Sequence, residues 1–381
     1  VKESVLYKDK KMKWSLPKID PVLAISLSLA TASCFFHAPR WEYVDFKVLI
    51  SLFNLMMAIK AFEGLKLLDK VAIGLLNKCE NSRTISAILI SLCFFSSMIV
   101  TNDVALLTFV PLTLVISRTA KVNMMKTVIL QTIAANIGSS LTPMGNPQNL
   151  FLFATYGLKP LLFFSTILLM GVLGIIVVVF LIIRLPKKEL NNINLTPIQV
   201  GNPKHAGFWG LSLIVTIASI FGYISYQLAF IVTLVTSIVL DGKLLRRIDY
   251  QLLITFIGFF IFVGNISNTY AVQAAAQASL EDSDSVYFTS ILLSQFISNV
   301  PASILLAHFT SDWQPLLIGV NIGGLGTIIA SLASVISYKL FTGENPKENK
   351  TYLVKFTIYN FSLLAILTLS FYFIKKFLDL L

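Results

Sequence analysis

The chain has 381 residues, of which 56% are hydrophobic and only 13% charged, with a formal net charge of +11. A soluble domain of average composition carries roughly 25% charged residues, and the apolar residues here run in long blocks instead of amphipathic stripes, which excludes a soluble globular domain and implies a polytopic membrane protein. The positive excess would suggest nucleic acid in a soluble chain, but it sits between the apolar blocks, where membrane topology uses it, so no nucleic-acid partner is expected.

In chain order, residues 1–20 hold six lysines and read as a cytoplasmic N-terminal segment. The chain starts with Val1, not Met, so natural residues can precede it, and no cleavage site follows the basic start "KDKKMKWSLPK". Spanning segments are predicted near 21–38, 46–64, 122–155, 160–185, 207–222, 224–240, 250–266, 313–341 and 356–374, about nine in all. Two further blocks, 84–117 and 286–310, are interrupted by the polar triplets Thr101-Asn102-Asp103 and Ser298-Asn299-Val300. If each of those blocks enters and leaves on one side, the segments 1–20, 65–83, 118–126, 184–206, 241–249 and 339–355 share a face and hold 24 of the 30 Lys and Arg. That asymmetry places the N-terminus inside and the C-terminus outside.

Three pairs of segments recur in the same order. "VDFKVLISLFNLMM" (44–57) matches "IDYQLLITFIGFFI" (248–261), with Asp45 over Asp249; "SSMIVTNDVA" (96–105) matches "LSQFISNVPA" (293–302); and "NIGSSLT" (136–142) matches "NIGGLGT" (321–327). Five predicted crossings separate the two interrupted blocks, so the second copy enters from the opposite face. The fold class expected is therefore an all-α membrane protein built as an inverted repeat, 21–185 and 207–377, joined by a cytoplasmic linker at 186–206. Segment 207–222 has no partner in the first half on this map.

After Ser298-Asn299-Val300 only about nine mostly apolar residues remain before the polar "TSDWQP". At 1.5 Å per residue they cover about 13 Å, under half of a roughly 30 Å hydrocarbon core. They form the return arm of a re-entrant hairpin, and the repeat makes Thr101-Asn102-Asp103 the tip of a first hairpin at 84–117. The alternative for that first block is two complete helices joined by a polar turn in outer water. Each hairpin precedes a broken helix. In 122–155 the stretch "ANIGSSLTPMGNPQNLF" sets Gly138, Pro143, Gly145 and Pro147 among Asn136, Thr142, Asn146 and Asn149; in 313–341 Gly323, Gly324 and Gly326 stand beside Asn321, Thr327 and Ser331. Non-helical backbone at membrane depth is tolerated only inside protein or along a wet cavity. Small-residue helix packing is the alternative for the second break.

Tips and breaks together offer hydroxyls, amides, free carbonyls and helix N-termini, which suit an anion together with Na⁺. Asp103 is the one acidic side chain among them; it can bind Na⁺ or take up a proton, so that an ion gradient drives a solute, or it can simply cap the helix that follows. The three cysteines, Cys34, Cys79 and Cys93, have no paired spacing and read as reduced structural thiols. His37 and His308 are isolated and His205 lies in a loop, so no catalytic dyad can be assembled and an enzyme is not expected.

The motifs "TNDVALLTFVPL", "NIGSSLTPMGNPQNL", "SQFISNVPA" and "GVNIGGLGTIIASLASVISY" together resemble the ion transporter superfamily, which includes arsenite permeases, citrate carriers, divalent anion:Na⁺ symporters and some Na⁺/H⁺ antiporters. The resemblance covers the chain from about residue 20. It implies a scaffold and a transport domain that alternate access in an elevator-like way, often as a homodimer. In the divalent-anion symporters both tips read Ser-Asn-Thr; here Asn102 and Asn299 keep the centre, Thr101 and Ser298 the first place, and Asp103 and Val300 replace both threonines. The site residues it implies are Thr101, Asn102, Asp103, Asn136, Gly138, Thr142, Gly145, Asn146, Pro147, Asn149, Ser298, Asn299, Asn321, Gly323, Thr327 and Ser331, with Na⁺ near Asn102, Asp103 and Asn299. The expected function is secondary transport of a small anion or oxyanion, carboxylate or arsenite-like, coupled to Na⁺ or H⁺ without any cofactor. A cation/proton antiporter that works through Asp103 is the rival. The expected location is the plasma (inner) membrane of a prokaryote.

Overall fold

The computed structural model describes residues 21–189, 195, 198–199 and 201–378. The expected N-terminal segment 1–20 and part of the linker 186–206 lie outside them. The described residues form seventeen α-helices: α1 (Pro21–Ser33), α2 (Phe46–Gly64), α3 (Leu67–Leu76), α4 (Ser82–Val100), α5 (Asn102–Ala120), α6 (Met125–Ser140), α7 (Pro147–Thr155), α8 (Pro160–Ile183), α9 (Pro203–Ile220), α10 (Tyr226–Asp241), α11 (Tyr250–Ile266), α12 (Tyr270–Ser279), α13 (Ser283–Ile297), α14 (Asn299–Ala307), α15 (Trp313–Gly323), α16 (Leu332–Glu344) and α17 (Asn349–Leu378).

Local chemistry sets the starts. Asp45 and Asp249, the pair aligned by the repeat, each cap a helix by accepting from the amide three residues on, Val48 N and Leu252 N, both at 3.0 Å. Asn146 does the same for α7 at Asn149 N (2.9 Å), with Pro147 in the first helical position, where its missing N–H costs nothing.

By length and composition, five segments of the described residues can cross a membrane: α4, α5, α8, the stretch Tyr226–Arg247 and the stretch Pro346–Phe377. Two bent pairs, α2 with α3 at 50° and α11 with α12 at 99°, raise the number to seven. Five of the nine expected segments, those of α2, α8, α10, α11 and α17, are in this set, which also holds α4 and α5. Of the other four, two are cut by their polar breaks into α6 and α7, and into α15 and α16, each too short to cross alone, α1 has only 13 residues, and α9 opens on the polar Pro203-Lys204-His205. Helix α3 occupies part of 65–83, where a loop was expected, and α17 begins at Asn349, seven residues earlier than predicted. Helix α14 has the length of about nine residues expected of a return arm, but it begins three residues earlier than the expected 302–310, at Asn299 in the tip itself. The arms α4 and α5, with 19 residues each, are about 28 Å long. The tip that joins them is nevertheless inside the protein and not in open water, because Asn102 is only 6% exposed.

The helices fall into two neighbourhoods. One contains α1, α2, α9, α10 and α11, with α1 against α11 and α2 against α9 and α10. In the other, α4 and α5 pack on α6, and α13 and α14 pack on α15. Each hairpin also reaches across: α5 touches α16, and α14 touches α7. The two tips therefore meet both breaks.

Candidate functional site

The tips are built alike. Thr101 has φ 71° and ψ 154°, and Ser298 has φ 73° and ψ 154°. Side chains rarely adopt that region, and holding a residue there costs about 1–3 kcal/mol. What offsets the strain is a backbone bond to a break: Asn102 N donates to Gly145 O (3.2 Å) and Asn299 N to Ala330 O (3.0 Å).

Further bonds recur in pairs related by the same alignment. Thr142 Oγ1 donates to Met98 O (2.5 Å), and Thr327 Oγ1 to Gln295 O (3.0 Å). Ser331 Oγ donates to Asn136 Oδ1 (3.1 Å), and Asn146 Nδ2 to Asn321 Oδ1 (3.2 Å), so the two breaks hold one another. Asn102 Nδ2 adds a 3.1 Å bond to Asn136 Oδ1, and Asn321 Nδ2 a 2.7 Å bond to Asn149 Oδ1. Close approach of each broken helix to its hairpin requires glycine: a Cβ on Gly138 would run into Phe94 O, and one on Gly323 would lie 2.7 Å from Ser294 Cβ. Phe94 and Ser294 sit on the inner arms α4 and α13.

These elements enclose a cavity of about 250 Å³. Four helix starts converge on it, with Asn102 and Asp103 from α5, Pro147 and Gln148 from α7, Asn299 to Pro301 from α14, and Ser331 and Leu332 at the beginning of α16. The first two turns of α11 and its cap close one wall with Asp249, Gln251 and Thr255. Each N-terminus carries roughly half a positive charge in unpaired N–H groups. Among the described residues no Lys, Arg or His lines the cavity, and the ionisable groups on its wall are the carboxylates Asp103 and Asp249. Oδ1 of Asp103 is buried without a hydrogen-bond partner among the described residues; α5 begins at Asn102 with Thr101 in the capping position, so Asp103 lies inside the helix and does not cap it. A second chamber of about 150 Å³ lies on its other side, lined by Thr101, Asn146, Asp249 and Lys60 among mainly apolar residues, and Lys60 pairs with Glu63 at 2.7 Å.

Residues 21–319 match the model of the citrate transporter family. The chain belongs to that family. It is similar to an uncharacterized transporter of Methanocaldococcus jannaschii (33% identical, 91% of this chain and 93% of the relative) and to the inner membrane protein YbiR of Escherichia coli (27% identical, 78% of this chain and 80% of the relative). A Dictyostelium discoideum protein that bears the name arsB is 32% identical over 42% of this chain and 29% of its own length. The protein is thus an integral membrane transporter of the citrate transporter family, and the resemblance read from its motifs holds.

Within this family member the residues singled out from sequence fall into two sets. Asn102, Asp103, Pro147, Ser298, Asn299 and Ser331 line the main cavity, and Thr101 and Asn146 line the second chamber. Asn136, Gly138, Thr142, Gly145, Asn149, Asn321, Gly323 and Thr327 line neither; they form the buried scaffold of bonds and close contacts behind it. Among the described residues no three His, Cys, Asp or Glu side chains gather, so a cation here would draw on Asp103, amide oxygens and carbonyls.

The sequence reading missed Gln148, Asp249, Gln251 and Thr255 as cavity residues, and missed Gln295 altogether. Asp249 had been used only to align the repeat. Gln295 donates to Gly323 O (2.7 Å) and Leu325 O (3.0 Å) and accepts from Thr327 N (2.9 Å), tying the second break to its hairpin. Its signal was an uncompensated amide in an apolar run, three residues before the tip.

Proposed function

We propose that the protein is a secondary transporter that carries a small anion or oxyanion through the cavity between the tips, coupled to Na⁺ or H⁺ at Asp103. The observation that carries this reading is the convergence of four helix N-termini on one cavity beside a carboxylate oxygen that no described residue satisfies. Partial positive charges at helix starts attract an anion without needing a cationic side chain. The orphaned oxygen then repels that anion until a cation or proton occupies it, which links the two binding events. The paired bonds at tips and breaks support a two-fold inverted repeat, an arrangement whose halves can exchange conformations.

The cavity bears on direction too. Asp249, on its wall, is exposed beside the basic turn Gly242–Arg247, whereas its counterpart Asp45 lines neither this cavity nor the second chamber. With positive charge inside, this conformation opens to the cytoplasm. The neighbourhood of α1, α2, α9, α10 and α11 serves as the scaffold against which the hairpins and broken helices move. A prokaryotic plasma membrane suits this charge bias.

A second reading, cation/proton antiport without an anionic solute, draws on one observation: among the described residues the cavity offers two carboxylates and no basic side chain. Proteoliposomes with imposed pH and Na⁺ gradients separate the two. Under the first reading, uptake of an oxyanion or carboxylate depends on the gradient, and Asp103→Asn uncouples it while the variant remains inserted and folded. Na⁺/H⁺ exchange that proceeds without any anion would replace the first reading by the second. Transport by Asp103→Asn with unchanged pH and Na⁺ dependence would remove Asp103 from coupling in both.

A further inference from the structure

Away from the transport cavity, a second polar cavity of about 240 Å³ lies where α4 and α6 begin, beside the segment that follows α8 and the second turn of α17. The geometry points to a binding site there for the phosphate of an anionic membrane lipid. Lys126, Lys188 and Lys355 line it, with hydroxyls from Ser82, Ser86 and Thr127, and no acidic residue lines it among those described. The lysines are 62 and 167 residues apart in sequence, so the fold and not a charge run gathers them. None of the three forms an ion pair with a described residue. Three like charges around one cavity repel one another, and an anion between them relieves that repulsion.

The elements that carry them are braced. Ser82 N donates to Lys188 O (2.8 Å), Lys188 N to Ser82 Oγ (3.0 Å), and Ser86 and Thr127 share a 2.8 Å bond between α4 and α6. Helix α6 starts at the cavity; Met124 in the capping position offers no side-chain bond, and Asn123 Oδ1 accepts from the first amide, Met125 N, at 2.9 Å. Two acidic residues stand nearby without lining the cavity: Glu348, which accepts from Asn123 Nδ2 at 3.2 Å, and Glu189, which follows Lys188 and whose backbone is bridged to Asn81.

A lipid is favoured over a free anion because of what surrounds the cavity. Helices α8 and α17 pack together, and Ile183, Val354 and Ile358 are each 59% exposed on them, a surface on which acyl chains can lie. The Arg184 guanidinium sits 4.8 Å from the Phe180 ring centre, the posture of a basic residue at the membrane interface. Basic pockets between membrane helices at this level bind lipid phosphates, with each lysine contributing about five-fold in affinity. Three lysines match the double charge of a phosphomonoester lipid better than a singly charged headgroup.

The test uses the full-length protein in a neutral detergent, titrated with short-chain phosphatidic acid, phosphatidylglycerol or phosphatidylcholine, or with inorganic phosphate, and read by native mass spectrometry and by melting temperature. Phosphatidic acid should bind first, phosphatidylglycerol more weakly, and phosphatidylcholine at least ten-fold more weakly than phosphatidic acid. The combined variant Lys126→Ala, Lys188→Ala, Lys355→Ala should lose on the order of 100-fold in affinity. The equally charged control Lys243→Ala, Arg246→Ala, Arg247→Ala should keep the wild-type affinity. If the combined variant folds poorly, Lys188→Gln alone should weaken binding about five-fold. Equal losses in the combined variant and the control would overturn the site in favour of diffuse attraction. A melting shift from inorganic phosphate as large as that from the lipid would overturn the lipid assignment.

Discussion

Replacing Asn136 by Ala probes whether the two breaks are physically joined. Its side chain accepts from Asn102 Nδ2 and Ser331 Oγ at 3.1 Å each and donates to Gly324 O at 3.4 Å, all buried. A buried hydrogen bond contributes about 0.5–1.5 kcal/mol net, and a donor stranded without a partner costs about 1–3 kcal/mol. The bond to Gly324 is long and adds little, so Asn136→Ala should cost about 2–4 kcal/mol. Ser331→Ala removes one donor while Asn136 keeps Asn102, and should cost about 1 kcal/mol. In the double variant no Ser331 hydroxyl is left stranded. The combined loss should then fall short of the sum by about 1 kcal/mol, the coupling of a direct contact across 195 residues of chain. Reversible unfolding in mixed detergent micelles measures all four proteins. Additivity within about 0.3–0.5 kcal/mol would refute a direct bond between the breaks.

Gly138→Ala places a methyl group against the Phe94 carbonyl and should prevent α4 and α6 from closing, seen as loss of monodisperse protein; Gly74→Ala, with nothing within 4 Å, should stabilise by about 0.5–1 kcal/mol. At the strained tip, Ser298→Gly should be more stable than Ser298→Ala by about 1 kcal/mol, the reverse of the order expected in a helix interior, as melting temperatures will tell. Gln295→Met gives the second hairpin the residue that its counterpart Met98 supplies in the first; it should cost about 2–4 kcal/mol by stranding two carbonyls and an amide, and Ser334→Asn in the same background should recover part of that loss.

Tips and breaks were legible in the sequence because polar residues stand out in apolar blocks, where each must be explained by a partner or a cavity. Asp103, Asn102 and Asn299 were found that way, and they line the cavity. The wall contributed by α11 was not legible. Nothing local says which face of "IDYQLLITFIGFFI" turns toward a hairpin 50 residues further on, since that depends on how α11 packs against α14. Helices α3 and α12 escaped for another reason: at ten residues each they are below spanning length, and Asp69 and Lys70 in α3 made its stretch read as loop. The first hairpin showed the limit of repeat logic. Its arms are longer than those of α13 and α14, so matching tips do not fix matching depth.

The two halves also satisfy the same backbone with different side chains. In the first break, Ser140 O accepts from Asn149 Nδ2 at 2.8 Å, an amide on the far side of the break. In the second, the aligned carbonyl Leu325 O accepts from Gln295 Nε2 at 3.0 Å, an amide on the hairpin. The position aligned with Asn149 is Ser334, whose hydroxyl is buried without a partner, and the position aligned with Gln295 is Met98, which has no amide to give. Broken helices leave carbonyls that lipid cannot satisfy, so each break needs one amide, but either flank can supply it. The consequence is mechanical. The first break is held from its own outgoing helix α7, whereas the second is held by its hairpin, so α13 and the second break must move as one body. The first hairpin has fewer ties of this kind and carries Asp103 at its tip, so under the proposed coupling it is the element that an ion at the carboxylate would shift with less resistance.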